Sequence, residues 1–255
     1  MSKKLKEWFD RDCAIRLGRA VQSNFSRFDV GDYADEVEAG VGPLELKSRV
    51  KLTADGLRAR LPDDFEEAAV ILAASLGPPL EGETGMFTKG YWLMPVARLV
   101  EDHGLDHIET SMALCTEITR RNTAEYAVRP YIEADPERAL GIMLGWTASD
   151  DLHIRRLASE GVRPRLPWAK KLDMFVADPT QAITLVSVLR ADPSRYVQTS
   201  VANLINDVSR DHPETVIELA WRWSRENNEN TDWITRHATR TLRKSGALPK
   251  EFPIR

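Results

Sequence analysis

HIRRLASE (residues 153–160), YVQTSVAN (196–203) and WITRHATR (233–240) repeat one pattern. Each opens on an aromatic residue or histidine, continues with a β-branched residue, and sets small or apolar residues at helical spacing. The starts are separated by 43 and 37 residues. A longer echo overlaps them. AEYAVRPYIEADPERALGIMLGW (124–146) returns as VANLINDVSRDHPETVIELAWRW (201–223), offset by 77 residues. Both place an acid or histidine before proline, then an apolar helix, then tryptophan. Proline biases the residue before it away from the helical region, so Asp192-Pro193 and Asp211-His212-Pro213 read as breaks between helices.

Periods near 40 with two helices each are those of HEAT-type arrays. Such units cannot bury their faces alone, so they stack and create a concave surface. Upstream, apolar stripes continue the helical theme: Leu5, Trp8 and Phe9; Cys13, Leu17, Ala20 and Val21; Tyr33, Val37 and Val41; Leu44, Leu46, Val50 and Leu57, ended by Pro62; and residues 65–76. Alternating strand patterns with hairpin turns are missing. The expected fold is all-α, a right-handed α-solenoid of HEAT-like helical repeats with a concave face. The expected organisation is one domain over 1–255: N-terminal helices at 1–76, a connector at 77–90, repeats at 91–246 and a tail at 247–255. The connector, GPPLEGETGMFTKG, carries glycines and prolines that argue against a regular helix. Helix resumes over residues 91–103, with Pro95 in its first turn or at a kink.

A length of 255 residues supports a large core, and the net charge of −4 does not suggest indiscriminate nucleic-acid binding. The distribution is uneven. Residues 1–119 hold 14 Lys/Arg against 21 Asp/Glu, whereas residues 120–171 hold 10 against 7. Cys13 and Cys115 have neither metal nor disulfide spacing and read as buried thiols. No secretory signal or membrane-length apolar run is present, and a reducing cytoplasm fits best. The five histidines lack paired metal spacing, and no glycine-rich phosphate loop follows a strand. No metal and no cofactor are expected.

Chemistry concentrates in HIRRLASEGVRPRLPWAKK (153–171). It holds Arg155, Arg156, Arg163 and Arg165, with Glu160 and Trp168 among them. Planar, permanently charged guanidinium groups suit phosphate oxygens. An acid among cations stays ionised, and an indole face attracts a cationic ring. Plainer readings fit the same letters. Glu160 is spaced to pair with Arg156 or Arg163 on its own helix. Asp207 can pair with Arg210, Glu125 can be a surface acid, and Trp168 can be core after a proline turn. Trp146, Trp221, Trp223 and Trp233 read as repeat packing, and His153 and His237 as core polar groups at repeat starts, with His237 alternatively facing DNA.

LELKSR (44–49), GYWLMPVARLVEDHGLD (90–106), ITRRNTAEYAVRPYI (118–132), HIRRLASEGVRPRLPW (153–168), DPSRYVQTSVANLINDVSRDHP (192–213) and WITRHATRTLRKSG (233–246) together resemble the AlkC-type branch of the HEAT-like alkylpurine DNA glycosylases, bacterial DNA alkylation repair enzymes. Some members carry an immunoglobulin-like domain after the solenoid. With the sequence ending at Arg255, the expected likeness is to the shorter form. It implies duplex DNA held on the concave face and monofunctional cleavage of the N-glycosidic bond of cationic alkylated bases, 3-methyladenine and, in this branch, 3-methylcytosine. It implies Glu125, Glu160, Asp207 and Trp168 as the catalytic positions. It leaves Arg129, Arg155, Arg156, Arg163, Arg165, Arg236 and Arg240 as candidate phosphate contacts, with Arg120, Arg121, Arg243 and Lys244 behind them. Aligning the repeats puts Glu125, Glu160 and Asp207 in the second helices of consecutive units. The expected partner is double-stranded DNA with alkylated bases, not a membrane, and the expected state is a monomer. The competing readings are a HEAT-like protein that grips DNA without cutting it and an α-solenoid adaptor for protein partners.

Overall fold

The computed structural model of the protein describes residues 3–83 and 86–252. Every regular element among the described residues is helical. None of these helices is long and apolar enough to cross a membrane. The helices gather into two compact units, Met1–Ala134 and Asp135–Arg255.

In the first unit a short 3-10 turn, Leu5–Trp8, leads into α1 (Arg11–Gln22), α2 (Val30–Val41), α3 (Leu46–Arg58) and α4 (Phe65–Ala74). Asp10, Asp29 and Asp64 cap α1, α2 and α4 by accepting from the backbone amides of Cys13, Asp32 and Glu67. These bonds satisfy helix-start donors that would otherwise be orphaned. α5 (Met86–Lys89), α6 (Met94–His103), α7 (Ile108–Thr119) and α8 (Arg129–Ala134) complete the unit. α1 packs on α2, α2 on α3, α3 on α6, and α6 on α7. Phe9, Leu17, Val21, Tyr33, Val37 and Leu57 are buried along the expected stripes. Cys13 and Cys115 are buried thiols; burial pushes Cys13 up to about 12 and raises Cys115 further.

The 77–90 connector differs from expectation in one respect. Its MFTK segment forms α5, because no glycine or proline falls inside those four residues. Residues 84–85 of the connector and 253–255 of the tail lie outside the described residues. The start of the connector is tied down: Leu80 N–H donates to Arg120 O at 2.8 Å, and Arg121 Nε to Gly77 O at 2.7 Å. Pro95 lies in the first turn of α6, where a missing amide costs nothing.

The second unit contains α9 (Pro136–Trp146), α10 (Leu152–Gly161), α11 (Asp173–Ala177), α12 (Thr180–Ser187), α13 (Arg195–Val208), α14 (Pro213–Trp223), α15 (Glu229–Ala238) and α16 (Arg240–Ser245). α9 pairs with α10 and α14 with α15, while α12 lies against both α9 and α10. α10 packs on α13 and α13 on α15, so these three form a row. They are the HIRRLASE, YVQTSVAN and WITRHATR segments. Each begins at a side-chain cap: Asp151, Ser194 and Asn228. The 77-residue echo is α9 against α14, each with proline in its first turn. Trp223 is buried, and Trp146, Trp221 and Trp233 are half-buried. Trp233 stacks on His237 at 4.9 Å beneath the Arg195 guanidinium. His153 is buried and meets Tyr196 edge-on, an α10-to-α13 contact.

Candidate active site

Glu160 lies near the end of α10 and Asp207 near the end of α13. Packing of these two helices brings both acids to Arg163, just past the α10 terminus. Arg163 Nη1 donates to Glu160 Oε1 at 2.6 Å, and its Nε to Asp207 Oδ2 at 2.8 Å. All three side chains are nearly buried, at 7–9% exposure. Glu160 has further partners. Arg156 Nη2 lies 3.4 Å from Oε1, and Ser200 Oγ donates to Oε2 at 2.6 Å. Ser159 Oγ in turn donates to Ser200 Oγ at 2.7 Å. Both local pairings open to Glu160 in the sequence are therefore made, and a long-range hydroxyl adds to them. Asp207 is less engaged: among the described residues Arg163 is its one hydrogen-bond donor, leaving Oδ1 without one. Its local alternative, Arg210, makes no ion pair with it.

The two acids are electrostatically distinct. Burial alone would lift the Glu160 carboxyl, but the Arg156 and Arg163 charges and the Ser200 and Arg163 hydrogen bonds outweigh it. Glu160 is held below the ordinary glutamate value. Burial pushes Asp207 above the ordinary aspartate value; the Glu160 charge adds to this and Arg163 offsets only part of it. Two carboxyls pushed apart in this way suit two different roles.

Trp168 is not core: it is 78% exposed. It sits in a turn closed by Ala169 N–H donating to Leu166 O at 3.2 Å, with Pro167 second and Trp168 third. Its φ of 63° is the left-handed value that the third position of a type II turn requires, where glycine or asparagine is usual. For a bulky residue such a conformation costs on the order of 1–3 kcal/mol and persists only when its surroundings enforce it. Leu172 N–H donates to Pro164 O at 3.1 Å, closing the wider loop.

The expected phosphate arginines divide. Arg155 is committed internally, with Nε 2.7 Å from buried Asp192 and Nη1 2.9 Å from Ser149 O. Arg156 lies over the Tyr196 ring at 5.2 Å, besides its pairing with Glu160. Arg163 bridges the acids. Arg165 holds Asp211 bidentately, with Nε 3.0 Å from Oδ2 and Nη2 2.9 Å from Oδ1. Arg240 donates to Asn203 Oδ1 at 2.9 Å and to His237 O at 2.8 Å. Burial, aided by Arg240, lowers the His237 value. Arg236, Arg243 and Lys244 are exposed.

Glu125 belongs to the first unit and corrects the alignment of the three acids. It stands in a turn before α8, not in a repeat's second helix. Thr119 Oγ1 accepts from Ala124 N–H, and Thr123 Oγ1 accepts from Glu125 N–H, so side chains take the amides a helix would use. Thr123 Oγ1 also donates to Glu125 Oε2 at 2.9 Å. Glu125 and Arg129 are both buried. The sequence reading missed Ser200, Asp192 and Asp211. Their partners lie 40, 37 and 46 residues away, and only the register of packed helices brings them together.

Comparison with known proteins bears on this arrangement. A family described as "DNA alkylation repair enzyme" matches residues 117–242. Uncharacterized protein YhaZ of Bacillus subtilis is 35% identical over 243 residues, which are 95% of this chain and 65% of that protein. The solved structure of Pseudomonas fluorescens alkylpurine DNA glycosylase AlkC, bound to DNA containing an abasic site analog, superposes with a TM-score of 0.87 at 34% identity. That match covers 96% of this chain and 66% of the other. The chain thus spans slightly less than two thirds of either relative. The likeness makes the helix pairs a HEAT-like helical repeat fold.

Proposed function

We propose, from its likeness over residues 117–242 to the family described as "DNA alkylation repair enzyme", that the chain is a DNA glycosylase. It acts as a monomer on duplex DNA and hydrolyses the N-glycosidic bond of cationic alkylated bases, 3-methyladenine and 3-methylcytosine. The observation that carries this reading is the pair of acids bridged by Arg163, one saturated with donors and the other with an oxygen left over.

An N3-alkylated base already carries positive charge, so its bond to the sugar is weakened and needs little help from a proton donor. The sugar becomes cation-like as the base departs, as in glycoside hydrolysis. Glu160 is a fixed negative charge held ionised by its donors and stabilises that developing cation. Asp207, with Oδ1 open and its carboxyl value raised, orients the incoming water and takes its proton. Trp168 offers an exposed indole to the cationic base, an attraction that normal bases lack. Glu125 is kept as a further candidate acid on the family resemblance alone.

The test is release of bases from duplex DNA treated with a methylating agent, identifying the bases that appear. Release of 3-methyladenine or 3-methylcytosine is expected. Asp207→Asn and Glu160→Gln should each slow it at least ~100-fold while DNA binding persists. Tight DNA binding without release of any base would replace the enzyme reading with that of a DNA-gripping protein.

A further inference from the structure

We infer that Arg163 and Arg165 form a two-point clamp that seats the Trp168 turn against the end of α13, positioning the indole and the acids instead of binding phosphate. The inference rests on the glycosylase reading for its consequence in catalysis, but its structural half stands alone. The two arginines flank Pro164 and leave the loop on the same partner. Arg163 takes Asp207, and Arg165 takes Asp211, four residues on. Asp207 lies in the last turn of α13 and Asp211 in the turn after it, so the pair of carboxylates offers anchors about one helical turn apart. The Arg165–Asp211 contact is a fork-to-fork pair, the arrangement in which an arginine is most committed to one partner.

A reason for such a clamp lies three residues past Arg165, in the same loop. Trp168 holds a left-handed backbone angle while its side chain stays largely exposed. Nothing intrinsic to tryptophan favours that state. The loop's own bonds, Ala169 to Leu166 and Leu172 to Pro164, shape the turn but do not attach it to the helices. The arginine pairs add a charged attachment to α13 beside the burial of Leu166 and Leu172. Because Arg163 also grips Glu160, one residue sets the indole and both acids in a common frame. The charged groups facing the acids there are Arg156 on α10, Arg163, Arg210 after α13, and Arg240 at the start of α16.

Arg165→Gln, Asp211→Asn and their combination form a double-mutant cycle at a partly exposed pair. A clamp predicts that each single change lowers kcat for base release about 10- to 100-fold and that the double variant is no worse than either. The salt dependence of DNA binding should not change. A phosphate contact predicts the reverse: Arg165→Gln loses about one unit of the salt slope, Asp211→Asn tightens binding, and kcat holds. That result overturns the inference. Arg163→Lys keeps the charge but loses the fork, and should move the acid limb of the rate profile upward. An unmoved limb with full kcat counts against the clamp. Hydrogen exchange at the Ala169 and Leu172 amides needs no activity. Exchange raised alike in the Arg165 and Asp211 variants supports the clamp, and unchanged exchange refutes it. If the wild-type protein releases no base, the glycosylase reading fails while exchange still decides the clamp.

Discussion

Asp207 and Glu160 are neighbours through one guanidinium, yet protonation affects them in opposite senses. Glu160 has a depressed value, so its contribution to stability is present above the ordinary glutamate range and is lost as pH falls through the depressed value. Asp207 has a raised value, so between its ordinary and folded values stability falls as pH rises. If Asp207 is the base, base release should decline on acidification at a pH above the ordinary aspartate range, and Asp207→Asn should abolish that limb. A rate profile flat to the ordinary aspartate value would separate Asp207 from the chemistry. Trp168 makes a second residue-level case. Trp168→Asn suits the left-handed angle and should keep or raise stability to denaturant, by about 0.5–1 kcal/mol. The same change should cost roughly 10- to 30-fold in base release through the lost cation–π attraction. Loss of stability together with activity would show that the indole serves the fold.

The elements were largely legible before the structure. The 43- and 37-residue spacings find α10, α13 and α15, because capped helices that bury one face repeat their letters. The echo between α9 and α14 is likewise borne out. Glu125 was misplaced because its threonine-held turn mimics a helix in apolar spacing. The arginines were legible as a cluster but not as partners: charge type is local, whereas the acid each one meets is set by how α10 stacks on α13. Trp168 showed proline and tryptophan, but not that the tryptophan would occupy glycine's place in the turn. Gly104 gives the element-scale test. A Cβ there would meet Ser111 Oγ at 2.2 Å, Tyr131 Oη at 2.5 Å and the Phe65 ring at 2.8 Å. Ser111 and Tyr131 are fully buried and bonded, to Gly104 O and Val100 O, so they do not yield easily. Gly104→Ala should lose about 1–3 kcal/mol from the first unit by overpacking, measured by denaturant unfolding. An unchanged midpoint would show that α4, α7 and α8 have slack there.

Across the whole chain the net charge is −4, and the internal commitment of Arg155, Arg163 and Arg165 leaves few of the expected contacts for a DNA backbone. Arg236, Arg243 and Lys244 are the exposed ones among the expected contacts. With about three phosphates neutralised, log affinity for duplex DNA should fall against log salt with a slope of roughly −3. A slope several units steeper would mean that the internal pairs open on binding. The cysteines carry a separate consequence. The agents that methylate DNA bases are electrophiles, and in proteins they seek sulfur in its anionic form. Cys13 and Cys115 are dry and hold their protons far past neutrality, so neither offers that anion. Methylating agents should thus leave both thiols unmodified, since each lies in the core without the anion they attack.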